Sequence, residues 1–299
     1  MMNALTNARL ITALITPFGS SGDIDVPALE RVMTHVLATG SEGLVLSGTT
    51  GEGSALTLDE KKLLFTTAKR LTKAIPLIAA TGTHSTRTTI ELSKAMIEVG
   101  CDALLVVSPY YVKPSQEGLF QHFKALAEAV APMPIIIYNI PGRTSVTMSP
   151  ETMGHLATGF SNIIGVKQSL TDMDVISEIR QLCPPDFIIW SGDDSMTLPM
   201  MSLGAKGVIS VASHLFGREI LAMIEAFSIG DIQQAQAIHH KLFPAFRALF
   251  THPNPMDVKA CLHELGMISP ALRLPLVSVN EDEKASLKLL FEAIKQIKQ

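Results

Sequence analysis

Eight short apolar runs alternating with segments of helical period predict an α/β chain closed as a (β/α)8 TIM barrel with a C-terminal helical extension. Three observations carry this expectation. The runs are mostly unbroken rather than alternating, as parallel strands buried on both faces must be. The chain is 299 residues long, the size of eight βα units with further helices added. The turn after the first run, Thr16-Pro17-Phe18-Gly19, lacks the GxGxxG fingerprint that a doubly wound open sheet would place there.

Taken in order, the strands are expected over residues 10–17, 43–47, 76–80, 103–108, 134–139, 163–167, 187–191 and 207–211. Between them lie helix signals. Asp59-Glu60 opens one helix, Ser149-Pro150-Glu151 reads as an N-cap with Pro and Glu in the first turn, and Gly40 and Gly100 close others. Residues 1–227 make up the expected barrel, and 228–299 read as extra helices packed on it without a linker. Met196, Met200 and Met201 recur at helical spacing behind the seventh run, which core packing explains.

The composition narrows the function classes. There are 24 Lys and Arg against 28 Asp and Glu, a net charge of -4, with 17% charged and 47% hydrophobic residues. That is the composition of a folded, water-soluble chain, and it lacks the clustered basic excess needed to hold nucleic-acid phosphates. The longest uncharged stretch, 152–166, is short of the roughly 18 apolar residues needed to span a bilayer. The first nine residues show no export signal, so the cytoplasm is the expected compartment. Cys101, Cys183 and Cys261 are widely spaced and fit buried reduced thiols better than a disulfide framework or zinc site. The nine histidines form no metal-spaced set, and His239-His240 is expected on an exposed helix.

In a barrel of this kind, chemistry sits at the carboxyl ends of the strands, so the polar residues ending each run are the candidates. They are Gly48-Thr49-Thr50-Gly51-Glu52 after the second, Pro109-Tyr110-Tyr111 after the fourth, Tyr138-Asn139 with Arg143 after the fifth, Lys167 at the sixth, and Gly192-Asp193-Asp194 after the seventh. Lys167 ends Ile163-Ile164-Gly165-Val166-Lys167 with Gln168 rather than a carboxylate beside it. An unprotonated amine there attacks a ketone or aldehyde and forms a Schiff base, an electron sink for making and breaking carbon–carbon bonds. A salt-bridged structural lysine is the alternative. Tyr138 ends the neighbouring run, where a phenol can pass protons to a lysine-bound substrate; an ordinary core tyrosine would look the same. The Thr49-Thr50 turn offers hydroxyls and backbone N–H groups to a small anion, or is a plain βα turn. Arg143 offers a planar fork for a second carboxylate, or is a surface arginine. Asp193-Asp194 lacks a third ligand at metal spacing, which favours helix capping.

Taken together, Gly48-Thr49-Thr50-Gly51-Glu52, Pro109-Tyr110-Tyr111, Tyr138-Asn139-Ile140-Pro141-Gly142-Arg143-Thr144, Gly165-Val166-Lys167 and Gly207-Val208-Ile209-Ser210-Val211 resemble the dihydrodipicolinate synthase and N-acetylneuraminate lyase family across nearly the whole chain, its synthase branch most of all. The resemblance implies a Schiff-base aldolase that condenses pyruvate with aspartate semialdehyde in the diaminopimelate and lysine branch, without metal or organic cofactor. It implies that Lys167 forms the Schiff base with pyruvate and that Tyr138 is the general acid and base. Thr49 and Tyr111 would complete a proton relay, Thr50 and Ile209 would hold pyruvate, and Arg143 would hold the carboxylate of the semialdehyde. It also implies a homotetramer, a dimer of dimers, in which Tyr111 reaches the partner's site. A pyruvate-forming lyase or dehydratase of a 2-keto sugar acid is the alternative within the family. Arg143 argues against it, because those enzymes resemble this sequence around the lysine but generally lack that arginine and tend to carry Ser where Thr49 stands. Gln168 and His252 depart from the family's usual acidic residues.

Overall fold

The structure, a computed structural model, describes residues 1–297. Its strands are β1 (Leu10–Ala13), β2 (Gly43–Leu46), β3 (Leu77–Ala80), β4 (Ala103–Val107), β5 (Ile135–Asn139), β6 (Ile163–Gln168), β7 (Ile188–Ser191) and β8 (Gly207–Ser210). They follow one another from β1 to β8 as a closed barrel. The expected strands therefore all form. A helix follows each: Val26–Ala38, Leu58–Leu71, Thr86–Val99, Gln116–Val130, Pro150–Gly159, Met173–Leu182, the short Thr197–Met201, and Ser213–Ser228. Three more, Ile232–Ala248, Met256–Glu264 and Glu281–Ile297, form the C-terminal extension.

Local chemistry accounts for the boundaries. Thr57 and Glu60 form a reciprocal capping box at the start of Leu58–Leu71, and Ser149 accepts from the Thr152 N–H ahead of Pro150. Gly100 ends Thr86–Val99 in the left-handed conformation. Asp193 caps a 3-10 turn by accepting from the Ser195 N–H, the capping role expected for this pair. β1 is shorter than expected. The Leu14 N–H still reaches Val45 O at 3.0 Å, but the Ile15 N–H turns to His214 Nε2 and Pro17 has no N–H to continue the ladder.

The chain divides into two compact units, one of Met1–Arg9 with Ala74–Ile209, the other of Leu10–Lys73 with the chain from Ser210 onward. In the first, Ile135, Ile136 and Ile137 of β5 are fully buried, each stabilising the fold by about 1.5–3 kcal/mol relative to exposure. The Trp190 indole is also fully buried, and its N–H donates to Ala8 O at 2.8 Å. In the second, Phe18, Phe65 and Phe246 are core residues. The helix carrying His239 was expected to be exposed, but His239 is buried against Phe243 and Phe246 on one helical face, and only His240 of the pair faces out. Cys101, Cys183 and Cys261 are buried and in no disulfide among the described residues, and burial pushes the Cys183 thiol up to about 11. No helix among the described residues is long and apolar enough to cross a membrane.

Two buried histidines are expected to make the fold acid-sensitive. Burial pushes His122 and His214 from 6.5 down to about 4. The His214 ring is committed at both nitrogens, Nδ1 donating to Val211 O at 2.8 Å and Nε2 accepting from the Ile15 N–H, so a second proton would set two donors face to face. Because the folded values lie below the unfolded ones, this stability is fully present above pH 6.5 and is lost as pH falls towards 4. Thermal unfolding followed across that range is expected to show a falling midpoint in the wild type and a shallower fall in His122→Gln. Parallel curves would remove His122 as a cause.

Candidate active site

Each candidate residue lies at the carboxyl end of a strand or in the segment after it: Thr49 and Thr50 after β2, Tyr111 after β4, Tyr138 in β5, Arg143 after β5, Lys167 in β6 and Ile209 in β8. In the first unit, β5 and β6 pair in parallel with Tyr138 directly opposite Lys167, and β6 pairs with β7 so that Lys167 lies opposite Trp190. Residues in register point to the same side of a sheet. Lys167 and Tyr138 are consequently neighbours, with Lys167 Nζ 4.6 Å from the centre of the Tyr138 ring. Both are buried, at 5% and 8% exposure.

Gly192 leaves space beside this lysine. A Cβ at that position would come within 2.0 Å of Ser169 Oγ and 3.1 Å of Lys167 Cγ and Cε. Gln168, the next residue of β6, is fully buried with both amide atoms lacking a hydrogen-bond partner among the described residues.

Three lysines are buried among the described residues, and their surroundings separate their roles. Lys259 is fully buried, donates to Glu52 and to Ala271 O, and lies 4.3 Å from the centre of the Phe18 ring. Burial lowers its affinity for the proton and the Glu52 charge opposes this, as in a structural ion pair. Lys61 donates to the Gly53 carbonyl at 2.6 Å, and burial pushes its amine down. Lys167 alone of the three makes neither an ion pair nor a hydrogen bond among the described residues. The structural salt bridge that sequence left open for it is absent there.

The segment after β5 is anchored by its own side chains. Asn139 donates to Met148 O and accepts from the Met148 N–H, while the Thr144 hydroxyl has Val146 O at 2.8 Å and Ile140 O at 3.1 Å as acceptors for its one hydrogen. Arg143 sits on the helical turn Pro141–Thr144 between these anchors and is exposed. Ile209 is buried at the end of β8. Tyr111 is 88% exposed and holds φ at 72°, a left-handed conformation that an aromatic residue seldom adopts.

In the second unit, the segment after β2 is gripped from several sides. Ser47 and Glu52 both have positive φ, and a Cβ on Gly53 would lie 1.8 Å from Ser47 O, so only glycine fits. Thr16 Oγ donates to Gly51 O at 2.7 Å. Glu52, 4% exposed, takes Lys259 on one oxygen and the Arg273 N–H on the other at 2.9 Å. Arg273 adds bonds to Ala55 O, Gly22 O and Glu60. The Arg273 guanidinium holds the Glu60 carboxyl down at about 2. Asn254 Nδ2 donates to Thr50 Oγ at 3.0 Å.

Within each unit, then, the structure brings Lys167 to Tyr138 and fixes Thr49 and Thr50 on a braced turn. Asn254 and Lys259 escaped sequence reasoning because they lie 204 and 207 positions from their partners, beyond any local spacing. Among the described residues no group of three or more His, Cys, Asp or Glu side chains is placed to hold a metal ion.

Comparison with known proteins adds a family. The model of the "Dihydrodipicolinate synthetase family" matches residues 6–294. A 4-hydroxy-tetrahydrodipicolinate synthase of Heliobacterium modesticaldum is 47% identical over 286 residues, covering 95% of this chain and 95% of the relative. The Bacillus subtilis enzyme of the same name is 43% identical over 277 residues, 92% of this chain and 95% of its own. Among solved structures, a dihydrodipicolinate synthase from Aquifex aeolicus superimposes with a TM-score of 0.93 at 42% identity, covering 96% of this chain and 98% of that one. One from Cyanidioschyzon merolae with lysine bound gives 0.94 at 39%, covering 97% and 99%.

Proposed function

The chain belongs to the dihydrodipicolinate synthetase family, and on that premise we propose that it is a Schiff-base aldolase condensing pyruvate with L-aspartate 4-semialdehyde to 4-hydroxy-tetrahydrodipicolinate, in diaminopimelate and lysine biosynthesis. The observation that carries the reading is Lys167: a buried amine with no carboxylate partner among the described residues, beside the ring of a tyrosine on the next strand. Lys167 Nζ attacks the keto carbon of pyruvate and water leaves, giving an imine. Loss of a methyl proton makes the enamine, whose carbon adds to the aldehyde. The amine of the second substrate then attacks the imine carbon and displaces Lys167 as the ring closes.

Tyr138 carries the protons of these steps, a role supported by its hydroxyl having no hydrogen bond among the described residues. Thr49 and Tyr111 extend the relay, Thr50 and Ile209 hold pyruvate, and Arg143 takes the second carboxylate in a bidentate pair. The exposure and constrained backbone of Tyr111 support its reaching a partner subunit, in a homotetramer built as a dimer of dimers. The compartment we assign is the cytoplasm.

A coupled assay with pyruvate and aspartate semialdehyde tests the reading. Turnover is expected, and Arg143→Ala is expected to raise the KM for the semialdehyde by about tenfold or more, the loss of a charge-assisted pair, with the KM for pyruvate little changed. Adduct formation with pyruvate but no turnover of the semialdehyde would replace this substrate with a 2-keto sugar acid.

A further inference from the structure

A threonine hydroxyl has one hydrogen to donate and lone pairs to accept with, so what its neighbour does decides what it can offer a ligand. Thr50 is 3% exposed, and its Oγ accepts a hydrogen bond from Asn254 Nδ2 at 3.0 Å. It makes no other side-chain hydrogen bond among the described residues. An amide N–H₂ can only donate. With that donor fixed on Thr50 Oγ, the hydroxyl hydrogen must point elsewhere, which makes Thr50 a donor and suits it to an anion.

Asn254 is itself held. It is 8% exposed and sits just before the helix Met256–Glu264, whose fully buried Lys259 is paired with Glu52 two residues beyond Thr50. At the other end of this segment, the His252 ring and backbone N–H both bond to the Asp257 carboxylate. The segment carrying the donor amide is thus tied to the turn carrying the hydroxyl by the Lys259–Glu52 pair, while Asn254 Oδ1 is buried without a hydrogen-bond partner among the described residues.

We infer that Asn254 is a positioning residue for pyruvate: by donating to Thr50 Oγ it turns the Thr50 hydroxyl into a committed donor to the substrate carboxylate. The inference rests on the assignment of Thr50 to pyruvate and adds the group that sets its polarity. An acceptor in place of the amide would capture the Thr50 hydrogen and present the substrate with lone pairs.

The test is steady-state kinetics of Asn254→Asp and Asn254→Ala, each in wild-type and Thr50→Val backgrounds, with thermal unfolding alongside. Asn254→Asp is expected to raise the KM for pyruvate about tenfold or more, as expected for a misdirected hydrogen bond to a charged group, with kcat at saturating pyruvate within about twofold. Asn254→Ala is expected to raise it less, and provides the measurement should the aspartate variant not fold. In the Thr50→Val background both substitutions are expected to change KM by less than about twofold, because no hydroxyl remains to orient. An unchanged KM in Asn254→Asp, or an equal rise with and without the Thr50 hydroxyl, would overturn the inference while leaving Thr50 on pyruvate. A Thr50→Val enzyme with normal KM for pyruvate would overturn the Thr50 assignment and the inference with it.

Discussion

Lys167→Met is expected to lower turnover by about 10⁴-fold or more, because every step of the proposed reaction passes through a covalent bond to that nitrogen. Methionine keeps most of the length and volume of the stem, so packing beside Tyr138 and Gly192 is retained and the effect is chemical. Stability should move the other way. Lys167 is buried without an ion pair or hydrogen bond among the described residues, an arrangement that costs free energy and that an apolar side chain of similar size relieves. Urea unfolding of the variant should therefore give a midpoint equal to or above that of the wild type. An inactive enzyme at undiminished stability separates a catalytic lysine from a structural one. Near-normal turnover would contradict the assignment, and strong destabilisation would show that Lys167 has a structural partner.

The same substitution at Lys259 is expected to do the opposite. Lys259→Met strands the Glu52 carboxylate, 4% exposed, leaving it the Arg273 N–H alone to accept from among the described residues, and breaking a buried ion pair from one side costs about 3–5 kcal/mol. Neutralising both partners in Glu52→Gln with Lys259→Met should recover much of that loss, since the penalty belongs to the unpaired charge. Urea midpoints of the two single variants and the double variant, at one protein concentration, decide the matter. Additive losses would show that the pair is not coupled. Activity should suffer in the single variant as well, because Glu52 closes the turn that carries Thr49 and Thr50.

These two lysines also show how far sequence alone reaches. The strand that ends in Lys167 was legible because an unbroken apolar run must be buried, and a polar residue at its end stands out against it. The register that sets Tyr138 opposite Lys167 was not legible, because it depends on an irregularity after Ile135 at which the pairing skips Ile164. Helix ends such as Ser149-Pro150-Glu151 were plain, since a cap acts within a single turn. Lys259 was not legible. It stands between Val258 and Ala260 in the helix Met256–Glu264, away from any strand end, and its partner Glu52 lies 207 positions away. Asn254 was hidden for the same reason. The end of β1 was misjudged by four residues because the group that takes its N–H, His214, comes from the other end of the chain.

His239 was misread because a pair of histidines beside a lysine looks polar along the sequence, whereas alternate faces of a helix meet different surroundings. The roles of Thr49, Tyr111 and Arg143 came from resemblance, not from spacing. Their geometry is consistent with an exposed fork at Arg143 and a braced turn at Thr49, but hydroxyls and guanidinium groups declare a substrate only when it is bound.

Schiff-base formation by Lys167 is tested most directly by mass spectrometry of the protein after treatment with pyruvate and borohydride, followed by peptide mapping. Reduction fixes an imine as a stable secondary amine, so one added reduced pyruvate per chain is expected, on the peptide containing Lys167 and nowhere else. No adduct, or an adduct on Lys61 or Lys259 in its place, would contradict it.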